Sequence, residues 1–325
     1  SMAWVRNNTE ESSIFVHWWD YGYWVQFLGE RASLTDGGHK VGYWDHLTGR
    51  YLLTTPKPDT ALSFMKTHNV THLLIDPSDL GKYPAYSRIG SGEKMEDRKS
   101  QIPVMSIVPS QTRETNNKTI RLYQGAAPVD KDIVYIKEGK RIFLPKDKAF
   151  IAGVSFETNI NNGQKTVARP EGIFVYNNQQ YRIPLRYVYY SGQIYDFKSG
   201  INSTFMLLPS LEQTNQGLSI NNFGGGIYLS PLTSESAFAQ LYLMNDPFNK
   251  YPTLEIAHKQ DNQFMQNLKA QMPGAGEFIL YRGLQGPIKI WEVDYPEGIL
   301  VNEEFLETKL PEKGYGSLDD LKFTE

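Results

Sequence analysis

The sequence predicts a mixed α/β (α+β) core domain carrying an inserted all-β unit, barrel- or sandwich-like. Three observations predict it. The first hundred residues alternate between strand and helix periodicity. From about residue 102 to 226 the chain becomes a succession of short β-branched and aromatic runs, punctuated by Gly, Asn and Pro. Helical spacing then returns, followed by apolar runs with strand character.

Each element follows from its residues. "SIFVHWWDYGYWVQFLG" opens with a short buried strand over Ile14 to His17. Tyr23 to Leu28 is a short helix stopped at Gly29. "RASL" is a second strand, and Asp36-Gly37-Gly38 supplies its turn. "KPDTALSFMKTHN" is amphipathic, with Asp59 or Thr60 as cap and Leu62, Phe64 and Met65 facing inward. Val70 to Ile75 is a buried strand, stopped by Asp76-Pro77. Runs such as "IPVMSIV", "DIVYIKEGKRIFLP" and "GIFVYNNQQYRIPLRYVYY" build the β unit, and "NNFGGG" (221–226) reads as a flexible joint after it. "LTSESAFAQLYLMN" is a helix with Phe238, Leu241 and Tyr242 on its apolar face, and "PTLEIAHKQDNQFMQNLKAQM" is patchier helix. "GEFILYRG" and "IKIWEVDYP" read as a hairpin across "GLQGP". The expected division is residues 1–101 plus 227–295 for the core, 102–226 for the inserted β unit and 296–325 for a C-terminal extension.

Composition narrows the function. A chain of 325 residues with net charge −3 and no basic stripe is no nucleic-acid binder. The absence of cysteine excludes disulfides and thiol catalysis. No apolar run reaches the ~18 residues of a membrane-spanning helix. Ser1-Met2 ahead of "AWVRNNTEESS" reads as an expression remnant before a mid-chain start, so the chain is expected to be a piece of something longer. The early acids and histidines (His17, Asp20, Asp36, His39, Asp45, His46) show no metal-ligand spacing, and their plain reading is polar turn residues. No Gly-x-Ser-x-Gly elbow or dinucleotide fingerprint is present.

The sharpest local signal is "WWDYG", Trp18 to Gly22. Its plain reading is a strand end whose aromatics fill a core, with Asp20 capping the next helix. Consecutive strand residues alternate faces, however, so Trp18 and Trp19 point the same way only if a turn intervenes. A turn at Asp20-Tyr21-Gly22 gathers two indole N–H donors and one carboxylate acceptor. That set suits a hydroxyl group, which both accepts and donates.

These five residues resemble, without substitution, the signature pentapeptide of the oligosaccharyltransferase catalytic subunit, archaeal type. The lead-in "WVRNNTEESSIFVHWWDYGYW" looks like that family's junction between its last membrane helix and its outer domain. "DPSDLGKYPAYSRIG" resembles the Asp-x-x-Lys element of the archaeal and eukaryotic branch, through Asp79 and Lys82. "SAFAQLYLMN" and "GPIKIWEV" resemble later elements more loosely. The family places Met or Ile one turn after the lysine; here that place holds Tyr86, and Ile89 is the first suitable aliphatic. Lys82, Tyr86 and Ile89 share a helical face at i, i+4 and i+7, while Gly81 and Pro84 imply that the helix is kinked or starts late.

The resemblance implies a membrane enzyme that moves a lipid-linked (dolichol-type) oligosaccharide onto Asn of Asn-x-Ser/Thr, with this domain on the extracytoplasmic side. Trp18, Trp19, Asp20, Asp79, Lys82 and Ile89 would then bind the acceptor's Ser/Thr, supported by Tyr21, Gly22 and Tyr86. No catalytic residue is expected in this chain. The divalent metal, Mn2+ or Mg2+, would be held by the absent membrane part. The expected partners are the acceptor polypeptide, the lipid-linked donor and the protein's own transmembrane region. Two other classes stay open: a carbohydrate-binding or surface-layer β module, and a stand-alone glycosidase using Asp20 with a second acid. Asn-x-Thr sequons occur at Asn7, Asn69, Asn117 and Asn202 and carry little weight.

Overall fold

The computed structural model describes residues 1–92, 96–161, 164–215 and 217–309. They form two compact units. The first comprises Ser1–Ser100, Glu235–Gln271 and the described part of Gly286–Glu325; the second comprises Gln101–Ser234 and Met272–Gln285.

The first unit is built on a five-stranded mixed sheet. Ile14–Val16 lies between Ala32–Ser33 and His72–Ile75 and is parallel to both, with Ile14 opposite Ala32 and Phe15 opposite His72. Parallel neighbours need a crossover. Helices α2 (Gly22–Phe27), α3 (Gly42–Leu47) and α4 (Pro58–Thr67) supply it, after an N-terminal α1 (Met2–Asn8). In α4 the apolar spacing buries Ala61, Leu62, Phe64 and Met65. Pro58 occupies the first turn, where its fixed φ costs nothing and its missing N–H is not needed. Lys57 is therefore the N-cap, and Asp59 sits in the first turn, where a negative charge favours the helix dipole. Phe15, Leu74 and Ile290 from the sheet pack with Val5 of α1 and Val25 of α2.

Several local readings change. "LEIAHKQD" is a strand, Leu254–Asp261, antiparallel to Pro287–Val293, and only Gln263–Gln271 (α6) is helical. The expected hairpin across "GLQGP" does not form. Ile279–Leu280 pairs with Leu284–Gln285, and Pro287–Val293 pairs instead with His72–Ile75 in the first unit's sheet. Gly81 and Pro84 both lie inside one continuous helix, α5 (Asp79–Ile89), which begins directly at Asp79. The segment Phe238–Leu243 is helical and buried throughout, with a wide i→i+5 bond from Met244 N–H to Ala239 C=O. Of the C-terminal stretch 296–325, the carbonyls of Ile299 and Leu300 accept from Lys66 and Ser63 of α4, and Phe305 packs on Phe64. Residues 310–325 lie outside the described residues.

In the second unit the described residues between 130 and 190 are strands and turns. Seven strands close into a barrel, in the order Gln179–Tyr190, Glu171–Tyr176, Phe150–Asn161, Lys118–Pro128, Val104–Ile107, Gly217–Leu229 and Ile201–Thr214. The last returns to the first by a parallel pairing, Val188 opposite Phe205. Closure pairs edges that would otherwise lie open. Tyr123, Phe156, Phe174, Val188, Phe205 and Tyr228 fill its interior. "NNFGGG" is not a joint but the middle of the strand Gly217–Leu229. A Cβ on Gly226 would stand 2.5 Å from the Phe205 ring, and one on Gly225 2.4 Å from Leu280 Cδ1. The glycines admit close packing rather than bending the chain. No helix among the described residues is long and apolar enough to cross a membrane.

Gly226→Ala is expected to lower stability by about 1–3 kcal/mol through overpacking. Gly81→Ala, whose added methyl meets nothing within 4 Å, should be neutral or stabilising by up to about 1 kcal/mol. Urea unfolding of both variants checks the pair, and equal losses would contradict the packing assignment.

Candidate functional site

The sheet dictates where the site lies. Ile14–Val16 and His72–Ile75 are adjacent and parallel, with Val16 opposite Leu73, so both chains leave the sheet at the same edge. Binding groups in open α/β sheets collect at such carboxyl ends. One exit carries Trp18 to Gly22 and the other carries α5. Trp19–Tyr21 makes a single 3-10 turn, and Gly22 opens α2. Gly22 has an ordinary helical φ, so its requirement is steric. A Cβ there would lie 2.5 Å from both the Thr35 carbonyl oxygen and Asp36 Cα.

The turn aims Asp20 at α5. Lys82 Nζ contacts Asp20 Oδ2 at 2.6 Å and donates to the Tyr21 hydroxyl at 2.8 Å, lying 4.2 Å from the Tyr21 ring centroid. Tyr21 donates to Asp79 Oδ1 at 2.8 Å. Asp79 Oδ2 accepts from the Asp76 N–H at 3.0 Å. Lys82 is 4.0 Å from Asp79, so the closer charge pair is with Asp20. Both members of that pair keep about a quarter of their side-chain surface, 26% for Lys82 and 25% for Asp20, and so face solvent at the mouth of the site. Asp79 is buried beneath them. Burial pushes its carboxyl up to about 7, against the pull of the Asp76 N–H, the Lys82 charge and the Tyr21 hydroxyl. Burial and the neighbouring Asp79 raise the Tyr21 hydroxyl, which therefore stays protonated.

The tryptophans are held from behind. Trp18 is buried and its ring lies 5.4 Å from Tyr86, which in turn packs against Tyr83 and Phe238. Trp19 is partly exposed, 6.3 Å from Trp18, with the His39 ring edge-on at 4.7 Å. Neither indole N–H has a hydrogen-bond partner among the described residues. The buried His17 donates from Nδ1 to the Trp18 carbonyl at 2.7 Å, and burial lowers its pKa to about 4, so the ring is neutral at neutral pH. Asp20 makes no cap for α2.

The structure thus brings Asp20, Tyr21, Asp79 and Lys82 into one cluster, while Trp18 and Trp19, which precede Asp20 in the chain, pack against Tyr86 and His39. It separates Tyr86 from Ile89. Tyr86 belongs to the buried face of α5 with Asp79, Leu80, Tyr83 and Ser87, whereas Ile89, at the helix end, is 40% exposed. Sharing one helical face does not give them one environment, because the buried stripe runs 79, 80, 83, 86 and 87. Sequence reasoning passed over His17 and the pair His39–Asp45, in contact at 2.6 Å beside Trp19. Their signal was the early density of His and Asp, weighed only for metal binding. Among the described residues no group of three or more His, Asp or Glu is placed to hold a metal. No step below runs through the implied divalent ion.

Comparison with known proteins shows what parts of the chain are similar to. Residues 11–72 match the family model described as the STT3/PglB/AglB core domain. A relative from Pyrococcus furiosus, named dolichyl-phosphooligosaccharide-protein glycotransferase 1, is 33% identical over 94 residues, which is 28% of this chain and 9% of the relative. The STT3B subunit of a dolichyl-diphosphooligosaccharide–protein glycosyltransferase from Arabidopsis thaliana is 27% identical over 97 residues, covering 27% of this chain and 13% of the relative. The chain therefore spans only a small part of the curated relatives it matches. Among solved structures, the C-terminal domain of C. jejuni pglb aligns over 90% of this chain and 98% of its own, at 9% identity and a TM-score of 0.44. The C-terminal globular domain of an oligosaccharyltransferase from Pyrococcus abyssi aligns over 88% and 48%, at 14% identity and a TM-score of 0.37.

The raised Asp79 pKa has a sign. A carboxyl whose folded pKa exceeds its unfolded value favours the fold below about pH 4 and loses that contribution as pH rises through about 7. Unfolding free energies of the wild-type chain in urea should therefore fall between about pH 4 and pH 7, by at most about 4 kcal/mol for a shift of this size. Asp79→Asn should flatten that fall. An unchanged slope in the variant would contradict the assignment.

Proposed function

We propose that this chain is the acceptor-recognition domain of a membrane oligosaccharyltransferase, the part that reads Ser or Thr in Asn-x-Ser/Thr. The observation that carries the reading is Asp20, paired with Lys82 where two parallel strands end and directly preceded in the chain by two tryptophans whose indole N–H groups have no partner among the described residues. A hydroxyl needs one acceptor and at least one donor. Asp20 accepts its proton, and the Trp18 and Trp19 N–H groups donate to its oxygen. Lys82 holds the carboxylate at fixed distance, and Tyr21 ties Lys82 to the buried Asp79. Ile89, the accessible aliphatic of α5, is the wall for the threonine methyl, while Tyr86 braces Trp18 from below.

The magnitudes fit such a reader. A site built around a hydroxyl rejects a ligand lacking it by up to about 10⁴–10⁵-fold, because its own polar groups stay unpaired. A methyl contributes only about 0.8 kcal/mol, a preference of a few-fold. In this reading transfer chemistry and its divalent metal, Mn2+ or Mg2+, belong to a membrane portion that also meets the lipid-linked donor. The domain described here faces the extracytoplasmic side, where acceptor polypeptides emerge.

Three outcomes follow, the first two in a full-length enzyme assayed with paired Thr and Ser peptides. Asp20→Ala should abolish transfer to both. Ile89→Ala should erode the threonine preference a few-fold and spare the serine peptide. The isolated chain should transfer nothing. Turnover by the isolated chain, or full activity of Asp20→Ala, would contradict the proposal.

A further inference from the structure

A second site stands on the outer wall of the barrel. The strands Lys118–Pro128 and Phe150–Asn161 pair with Ile120 opposite Glu157 and Leu122 opposite Ser155, and Glu171 continues the row opposite Ser155. Directly paired residues share a face. Tyr123, Val154 and Phe156, the intervening residues, fill the barrel interior. The row of Ile120, Leu122, Ser155 and Glu157 therefore faces outward. Instead of lying flat to solvent, it floors a cleft of about 570 Å³. One bank is Ser110 and Gln111, next to Arg113; the other is Ala168 and Arg169. The size is that of an ordinary small-molecule site, about 300–1,000 Å³.

Charge gives the cleft its chemistry. Three guanidiniums reach it, from Arg113, Arg169 and Arg182. Arg182 lies 3.5 Å from Glu171 in an exposed pair, a contact weak enough to exchange. Arg169 donates to the Ser199 hydroxyl. Glu157 is engaged by Lys118 at 3.2 Å. Arg113 has no hydrogen-bond or ion-pair partner among the described residues. It sits directly opposite Ile120 on the same face, so an uncompensated guanidinium overlooks an aliphatic floor. Guanidinium forks match carboxylates bidentately. The Ser110, Gln111 and Ser155 side chains match hydroxyls, and Ile120 with Leu122 offers a patch for the carbon-bound face of a sugar ring.

We propose that this cleft is a binding site for an acidic oligosaccharide, with Arg113 receiving a sugar carboxylate and Arg182 turning from Glu171 to a second one. The choice of a sugar over another polyanion rests on the oligosaccharyltransferase reading above. An extended peptide lying on the cleft floor would gain no main-chain hydrogen bonds, because the floor strands Lys118–Pro128 and Phe150–Asn161 are already paired on both sides.

Calorimetric titration of the whole chain with tri-galacturonate, maltotriose and a tri-aspartate peptide tests it. Tri-galacturonate should bind at one saturable site at least tenfold more tightly than the other two. Arg113→Ala, and separately Arg182→Ala, should weaken it about tenfold, Arg113→Lys should recover only part, and Lys140→Ala on a different hairpin should change nothing. Circular dichroism melts of the variants guard against misfolding. No binding, equal binding of maltotriose, preference for the peptide, or an unaffected Arg113→Ala would each overturn the proposal. Transfer is not the readout. A failure here therefore leaves the acceptor reading standing, and sugar binding by a chain that ignores Asn-x-Thr peptides would count against that reading alone.

Discussion

Two short strands lying side by side and parallel set the position of everything in the candidate site. Ile14–Val16 and His72–Ile75 share a register in which Phe15 faces His72 and Val16 faces Leu73. Strands in such a pair stand about 4.8 Å apart, so the residues that leave their carboxyl ends start as neighbours although the sequence separates them widely. The 3-10 turn at Trp19–Tyr21 and the immediate start of α5 at Asp79 convert that proximity into a 2.6 Å contact between Asp20 and Lys82. Without the parallel pairing, the two motifs would have no common origin.

The surroundings maintain this contact at some electrostatic cost. Asp79 is buried where a charge is penalised, and its raised pKa records that penalty. It persists because the Tyr21 hydroxyl and the Asp76 N–H occupy its oxygens, and because Lys82 is near. Gly22 allows the turn to press against Thr35 and Asp36, a fit that any side chain would break. His17 ties the Trp18 backbone, and Tyr86 supports its ring. Most of the pentapeptide's neighbours thus fix geometry, leaving Asp20 and Lys82 as the charged pair that meets solvent.

Local physics was legible in the sequence where short-range pattern decides. The strand near Ile14, the helix α4 and the strand ending at Ile75 follow from periodicity, and α4 buries the face its spacing prescribes. That Asp20 and Lys82 belong to one site was expected from the resemblance of the two motifs, while the parallel pairing that brings them together carries no local signal. What remained hidden depends on distant partners. "LEIAHKQD" reads as loose helix because an outer strand with much exposed surface keeps many polar residues, and only its pairing with Pro287–Val293 makes it a strand. The glycines of "NNFGGG" look like a joint until Phe205 and Leu280 are seen against them. The closing parallel pair of the barrel leaves no local mark at all. Tyr86 and Ile89 are indistinguishable by helical spacing and differ by burial, which is a tertiary property.

The central claim is that Asp20 and the two indole N–H groups form one hydroxyl-reading site. Its most direct measurement is the ¹⁵N–¹H signal of the Trp18 and Trp19 indoles, assigned by Trp→Phe replacement and followed during titration with millimolar peptide. The account predicts that an Asn-Ala-Thr peptide shifts both indole signals, while an Asn-Ala-Val peptide of the same length shifts neither. Equal shifts with the two peptides, or threonine-dependent shifts confined to tryptophans other than Trp18 and Trp19, would contradict it.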